Sequence, residues 1–133
     1  MTLVDANVLI DLFINDPIWS DWSIARLRER SLRGPLFIND VVYAESSTRF
    51  PSLEDFQAAL ATAEVLIRAT PPAALFLAGK AFKQYRRAGG IRTGVLSDFF
   101  VGAQAVVERI PLLTRDGHRY RHYFPGIALI SPE

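Results

Sequence analysis

The chain has no cysteine in its 133 residues. A disulfide framework, a thiolate zinc site and a cysteine nucleophile are therefore all excluded. Imidazole is nearly as scarce, with only His118 and His122 present. A metal site would have to be built mainly from carboxylates and other oxygen donors, which favours magnesium or manganese over softer ions. Long apolar runs are missing too. The N-terminal stretch MTLVDANVLIDLF is interrupted by Asp5 and Asp11 and has no basic leader, so it does not read as a secretory signal, and no stretch reaches membrane-spanning length. A cytoplasmic protein is expected. Lysine is sparse, because 13 of the 15 basic residues are arginine, whose planar fork suits phosphate better than an ammonium point charge does.

Half of the residues are hydrophobic, enough for one substantial core, and a single domain spanning residues 1–133 is expected. The net charge of +1 hides an asymmetry: residues 1–79 sum to −4 and residues 80–133 to +5. That basic half is either an ordinary solvated surface or a phosphate-binding face.

Short apolar runs alternate with amphipathic stretches. Leu3-Val4 reads as a buried strand, and Asp5 as the N-cap of a helix running through Asn7 to about Ile14. A second helix contains Trp22, Leu27 and Leu32 and stops at Gly34-Pro35. Leu36-Phe37-Ile38 is a second strand, capped at Asn39 or Asp40 into a helix that carries Glu45. Ser52-Leu53-Glu54-Asp55 resembles a capping box and starts a helix with Phe56, Leu60, Ala63 and Ile67 at helical spacing. Pro71-Pro72 opens another helix, ended by Gly89-Gly90. Ser97 is expected to cap a helix with Asp98 in its first turn. Residues 111–114 form a strand running into Asp116, and residues 127–130 form the last strand. This alternation predicts a three-layer α/β/α sandwich with a central parallel sheet. Ligands in such sheets bind at the carboxyl ends of the strands. Asp5, Glu45, Asp98 and Asp116, separated by 40, 53 and 18 positions, can converge on that edge.

Each of the four acids also has a structural reading. Asp5 can cap a helix, Asp98 can face a helix dipole, Glu45 can sit on a solvated face, and Asp116 can belong to an Asp-Gly turn. Two of them have apolar neighbours: Leu3-Val4 precedes Asp5 and Phe99-Phe100-Val101 follows Asp98. At a core boundary an unpaired carboxylate is costly, and several together repel one another unless a cation holds them ionised. A divalent metal resolves that conflict and can activate water against a phosphodiester.

The segments 3–9 (LVDANVL), 42–45 (VYAE), 97–103 (SDFFVGA), 113–116 (LTRD) and 124–130 (FPGIALI) occur in the order found in PIN-domain nucleases. The chain resembles that family, and within it the VapC-type toxins of toxin–antitoxin pairs, over almost its whole length. The resemblance implies a central parallel sheet, a magnesium- or manganese-dependent endoribonuclease acting on RNA, a homodimer, and inhibition by a cognate antitoxin. It implies Asp5 and Asp98 as principal metal ligands, Asp116 completing the site directly or through water, and Glu45 orienting or deprotonating the attacking water. Asn7 and Thr114 match polar positions that flank the site, as supporting or phosphate contacts; helix start and strand end explain them equally.

The remaining candidates are less specific. His118 and His122 lie four apart without a helix signal and read as solvated loop residues rather than a zinc pair. Arg115, Arg119 and Arg121 either hold phosphates or are plain surface charge. The loop 89–94 lacks the P-loop lysine arrangement, and Arg92 there is a candidate for contact with substrate or antitoxin. Phe13, Trp19 and Trp22 form either core or a dimer or antitoxin groove. Two other enzyme-like or signalling classes fit poorly: an aspartyl-phosphate transferase wants an acid where Asn7 stands, and a receiver domain wants a late lysine, but none follows Lys83. A non-toxin RNA-processing nuclease, or an RNA- or protein-binding module that does not cut, remains the alternative.

Overall fold

A computed structural model describes residues 1–92 and 95–132. Its centre is a five-stranded sheet, all parallel, in the order β3-β2-β1-β4-β5. The strands are short: β1 (Thr2–Val4), β2 (Leu36–Ile38), β3 (Val65–Ile67), β4 (Leu112–Leu113) and β5 (Leu129–Ile130). Among the described residues seven helices flank them: α1 (Ala6–Ile14), α2 (Ser20–Ser31), α3 (Asp40–Ser47), α4 (Leu53–Thr62), α5 (Pro72–Arg87), α6 (Leu96–Glu108) and α7 (His118–Tyr123). The result is the expected α/β/α sandwich. Leu3, Val4, Ile38, Leu112 and Leu113 are fully or almost fully buried, because helices cover both faces of a parallel sheet.

Strand order carries the functional consequence. The chain goes from β1 outward to β2 and β3, then returns to the other side of β1 for β4 and β5. The order therefore reverses between β1 and β4, and their carboxyl ends border the crevice in which ligands of such sheets bind. Asp5 directly follows β1, and Thr114 directly follows β4.

Most boundaries follow local chemistry. The Asp5 carboxylate caps α1 by accepting from the Ala6 N–H, and the Asn39 side chain, rather than Asp40, caps α3 by accepting from the Val42 N–H. Ser52 accepts from the Asp55 N–H at 3.1 Å, as the capping pattern predicts.

Four expectations need correction. The helix from Ser52 does not continue to Ile67: it stops at Thr62, Glu64 turns the chain with φ of +56°, and Val65–Ile67 forms the edge strand β3. Three apolar residues serve either structure, and pairing with β2 decides the outcome. Ser97 does not cap α6, because the helix begins one residue before it and has no side-chain cap. His118 and His122 are not in a loop but on α7. Residues 127 and 128 precede β5 rather than forming part of it. Of the loop 89–94, Thr93 and Gly94 lie outside the described residues, while Arg92 donates its N–H to the Tyr85 hydroxyl at 3.2 Å.

Of the aromatic residues near the N-terminus, Phe13 and Trp22 pack against the core, while Trp19 lines a surface cleft. Phe13 meets Phe50 at 5.0 Å and Phe56 at 6.2 Å between ring centroids, and Tyr43 meets Phe56 at 4.7 Å. Phe56 is 1 % exposed and links α1, α3 and α4. Phe56→Ala is expected to lower unfolding free energy by about 3–5 kcal/mol, through lost burial and a residual cavity. Urea denaturation measures it, and a loss below about 1 kcal/mol would mean that the cluster collapses without cost.

Candidate active site

Asp5 lies at the centre of the crevice and is 5 % exposed. One carboxylate oxygen, Oδ1, accepts from the Ala6 N–H at 2.8 Å. The other, Oδ2, accepts from the Thr114 hydroxyl at 2.9 Å and from the Tyr120 hydroxyl at 2.7 Å. Three donors from α1, the end of β4 and α7 thus fix one buried carboxylate.

Thr114, fully buried, is the junction of this network. With its hydroxyl donating to Asp5, its oxygen accepts from the Asn7 amide at 3.2 Å and from the Asp116 N–H at 3.2 Å. Asn7 in turn accepts from the Arg115 N–H at 3.3 Å. Asn7 and Thr114 therefore tie the start of α1 to the end of β4 and hold the backbone of Asp116.

The other two acids arrive from helices. α3 packs against α6, and Ser97 on α6 donates a hydrogen bond to Glu45 on α3. Asp98, in the first turn of α6, pairs with Arg119 on α7 at 2.6 Å. Asp116 is exposed at the rim.

Each of the other three acids is electrostatically coupled to Asp5. Asp5 is raised above its ordinary carboxylate range by burial first, with the charge of Asp116 adding, against three hydrogen bonds that lower it. Burial also raises Glu45, and the charge of Asp5 adds to it. Asp98 is pushed up to about 7, by burial and then by Asp5, with Arg119 opposing and Glu45 adding. Tyr120 is held well above its usual range by burial and by the charges of Asp5, Asp98 and Glu45, so it stays protonated and donates.

The pattern is that of a desolvated acidic crevice with too little positive charge. Arg119 partly balances Asp98, while Arg115 is engaged elsewhere, 3.2 Å from buried Asp11. The donor set is all oxygen, which suits a hard divalent cation, and a cation there would relieve the repulsion. Among the described residues no three acidic or imidazole side chains form a close metal cage. Partial ligation through retained waters is the habit of magnesium, so the donor set and its repulsion fit a hydrated ion. The two histidines, although on one helix, are likewise in no such cage.

A sequence profile described as the PIN domain matches residues 2–125. The chain belongs to the PIN-domain family. PIN domains are in general nucleases. Solved structures agree on the PIN fold. VapBC2 from Rickettsia felis, bound to a DNA fragment from its promoter, superposes with a TM-score of 0.74 at 17% identity, covering 99% of this chain and 98% of that one. VapBC-1 from nontypeable Haemophilus influenzae gives 0.71 at 17% identity, covering 98% and 96%. FitAcB from Neisseria gonorrhoeae gives 0.67 at 15% identity, covering 99% and 98%. No curated protein matches the chain.

Sequence reasoning missed Tyr120, the Ser97–Glu45 hydrogen bond and the Arg119–Asp98 pair. The only signal for Tyr120 was its position four residues before Phe124, on a helix too short to show periodicity. Tyr120 of α7 and Phe124 just after it both pack onto Gly102 of α6. A Cβ there would stand 2.6 Å from the Phe124 ring and 3.0 Å from the Tyr120 ring, so the absence of a side chain lets α7 approach.

Two outcomes follow. Tyr120→Phe removes one donor from buried Asp5 and is expected to cost about 1.5–3 kcal/mol in urea denaturation, the range for hydrogen bonds to charged groups; an unchanged midpoint would contradict that bond. Asp98 keeps its proton to about pH 7 when folded but ionises near 3.8 when unfolded, so its contribution is complete below pH 3.8 and is lost as pH rises through 7. In chelator, wild type should lose melting temperature relative to Asp98→Asn between those pH values and no further above them. A relative gain for wild type would mean that Arg119 outweighs burial.

Proposed function

We propose that the chain is a metal-dependent endoribonuclease and the toxin of a VapC-type toxin–antitoxin pair, working in the cytoplasm. The observation that carries the nuclease reading is the meeting of Asp5, Glu45, Asp98 and Asp116 at the carboxyl ends of β1 and β4, where burial and mutual repulsion raise three of them. The toxin reading is supported by the likeness of fold to VapBC and FitAB complexes. An antitoxin as partner and a homodimer as the working assembly follow from the same reading.

Asp5 and Asp98 would hold magnesium or manganese, with Asp116 joining directly or through water. The ion would polarise the phosphoryl oxygen, lower the pKa of bound water and stabilise the leaving oxyanion. The protein's own residues do the rest. Tyr120 and Thr114 keep Asp5 oriented. Glu45, exposed on α3 but raised above the usual range by desolvation and by the charge of Asp5, is a stronger base than a free carboxylate and suited to take the proton from the attacking water. That water's oxygen bonds to phosphorus as the ester P–O bond breaks. Thr114 and Asn7 hold the turn that presents Asp116. Arg119 adds the positive charge that a dianionic phosphorane needs.

Purified protein free of partner should cleave single-stranded RNA with magnesium or manganese, stop when EDTA is added, and recover when metal is restored. Asp98→Asn should lower the cleavage rate about 100-fold or more while retaining RNA binding. Cleavage that survives EDTA overturns the metal-dependent reading, and no cleavage by the metal-loaded protein overturns the nuclease reading. Inhibition by the product of a short neighbouring reading frame tests the toxin role, and the lack of such a partner favours a housekeeping RNA-processing nuclease.

A further inference from the structure

Asp116 is the shared wall of two clefts. One, of about 420 Å³, is lined by Asn7, Trp19 and Arg115 beside it. The other, of about 270 Å³, is lined by His118, Arg119, His122 and Tyr123. Each cleft therefore offers flat rings and an arginine, and each begins at the carboxylate on the rim of the acidic crevice.

The Trp19, His122 and Tyr123 rings are held by contacts within the fold. The Arg115 guanidinium lies 5.4 Å from the Trp19 ring centroid and 3.2 Å from Asp11, and Trp19 meets Trp22 edge to face at 6.0 Å. On the other side Tyr123 is packed edge to face against Phe99 at 5.1 Å and against Tyr85 at 6.0 Å. His122 meets Tyr123 at 4.6 Å with the rings nearly perpendicular. Arg119 is bound to Asp98 through one Nη, which fixes its guanidinium between the crevice and the cleft. Preformed rings lose little entropy when a base lands on them.

An unpaired nucleotide carries the complementary groups, an aromatic base and a phosphate anion. Single-stranded RNA is recognised chiefly by stacking on such rings and on arginine planes. A duplex buries its base faces and cannot offer them to both clefts.

We propose that these clefts are nucleotide subsites on the two sides of the scissile phosphate: one unpaired base lodges against Trp19 with Arg115, the other against His118, His122 and Tyr123 with Arg119. This rests on the ribonuclease reading and adds to it the binding sites that hold the strand across Asp116. Trp19, His118 and His122 act by binding and take no part in the bond-breaking step.

The test uses an RNA oligonucleotide that wild-type protein cleaves at one position, with abasic nucleotides placed singly on either side of the cut. For wild type, one abasic position on each side should raise KM about tenfold, within the range of one base–aromatic stack. Trp19→Ala and the double variant His118→Ala/His122→Ala should each raise KM for intact RNA by about the same factor with kcat within about twofold. Each variant should also become insensitive to the abasic site on its own side and remain sensitive on the other. His122→Phe in the double variant's background, keeping an aromatic face, should recover most of the loss. Variants with unchanged KM, or abasic penalties that persist in both, overturn the subsites while leaving the nuclease reading intact. If wild type cuts no RNA with either metal, both readings fall; if it cuts double-stranded RNA as well as single-stranded, only the subsites do.

Discussion

Burying a carboxylate at the end of the central strand is the constraint around which this molecule is arranged. Asp5 is 5 % exposed, and removing its solvent without replacement would cost several kcal/mol. Three donors offset that cost, and each arrives on a different element: the Ala6 N–H from α1, the Thr114 hydroxyl from the end of β4, and the Tyr120 hydroxyl from α7. Parallel pairing of β1 with β4 brings Thr114 into reach, and packing of α7 on α6 brings Tyr120. The fold is thus required in full before the acid can be tolerated. Even so, the carboxylate remains poorly satisfied as an anion, because burial outweighs the three donors and the charge of Asp116 adds to it.

Asp11 gives a useful contrast on the same helix. It is fully buried, accepts from the Ser23 hydroxyl at 2.9 Å and lies 3.2 Å from Arg115. Burial raises it, but Ser23 and Arg115 work the other way, and only Asp16 adds like charge. Asp11 therefore joins α1 to α2 and to the turn after β4, a structural buried acid with its own cation. Asp5 is surrounded by Glu45, Asp98 and Asp116 instead. The difference between the two lies in which charges surround them, since both are buried and both are hydrogen-bonded.

Sequence patterning reached the sheet, its parallel strands and the positions of the acids at strand ends, because alternation of short apolar runs with amphipathic helices has few three-dimensional solutions. Asp5 as an N-cap and Asn39 as a possible cap were readable from single residues. The edge strand Val65–Ile67 was not, since three apolar residues continue a helical pattern as well as they make a strand, and the deciding interaction is with β2, far along the chain. α7 was hidden by its length: HRYRHY gives no period, and its position depends on contact with α6. That omission concealed Tyr120, along with the fact that His118 and His122 share a helix. Glu45 and Asp98 were legible as acids on helices. That Ser97 connects them depends on how α3 packs on α6, which no local pattern encodes.

Gly102 has a consequence for the acidic crevice. The α6–α7 contact tolerates hydrogen there and nothing larger, since a methyl carbon would come within 2.6 Å of the Phe124 ring. The alanine replacement would wedge the short helix outward, at an overpacking cost of about 1–3 kcal/mol. Every acid would remain in place chemically while Asp5 lost the orientation that Tyr120 gives it. Position 102 is thus a remote control on the crevice: a neutral, apolar change one helical turn from Asp98 can detune the buried carboxylate without touching any acid.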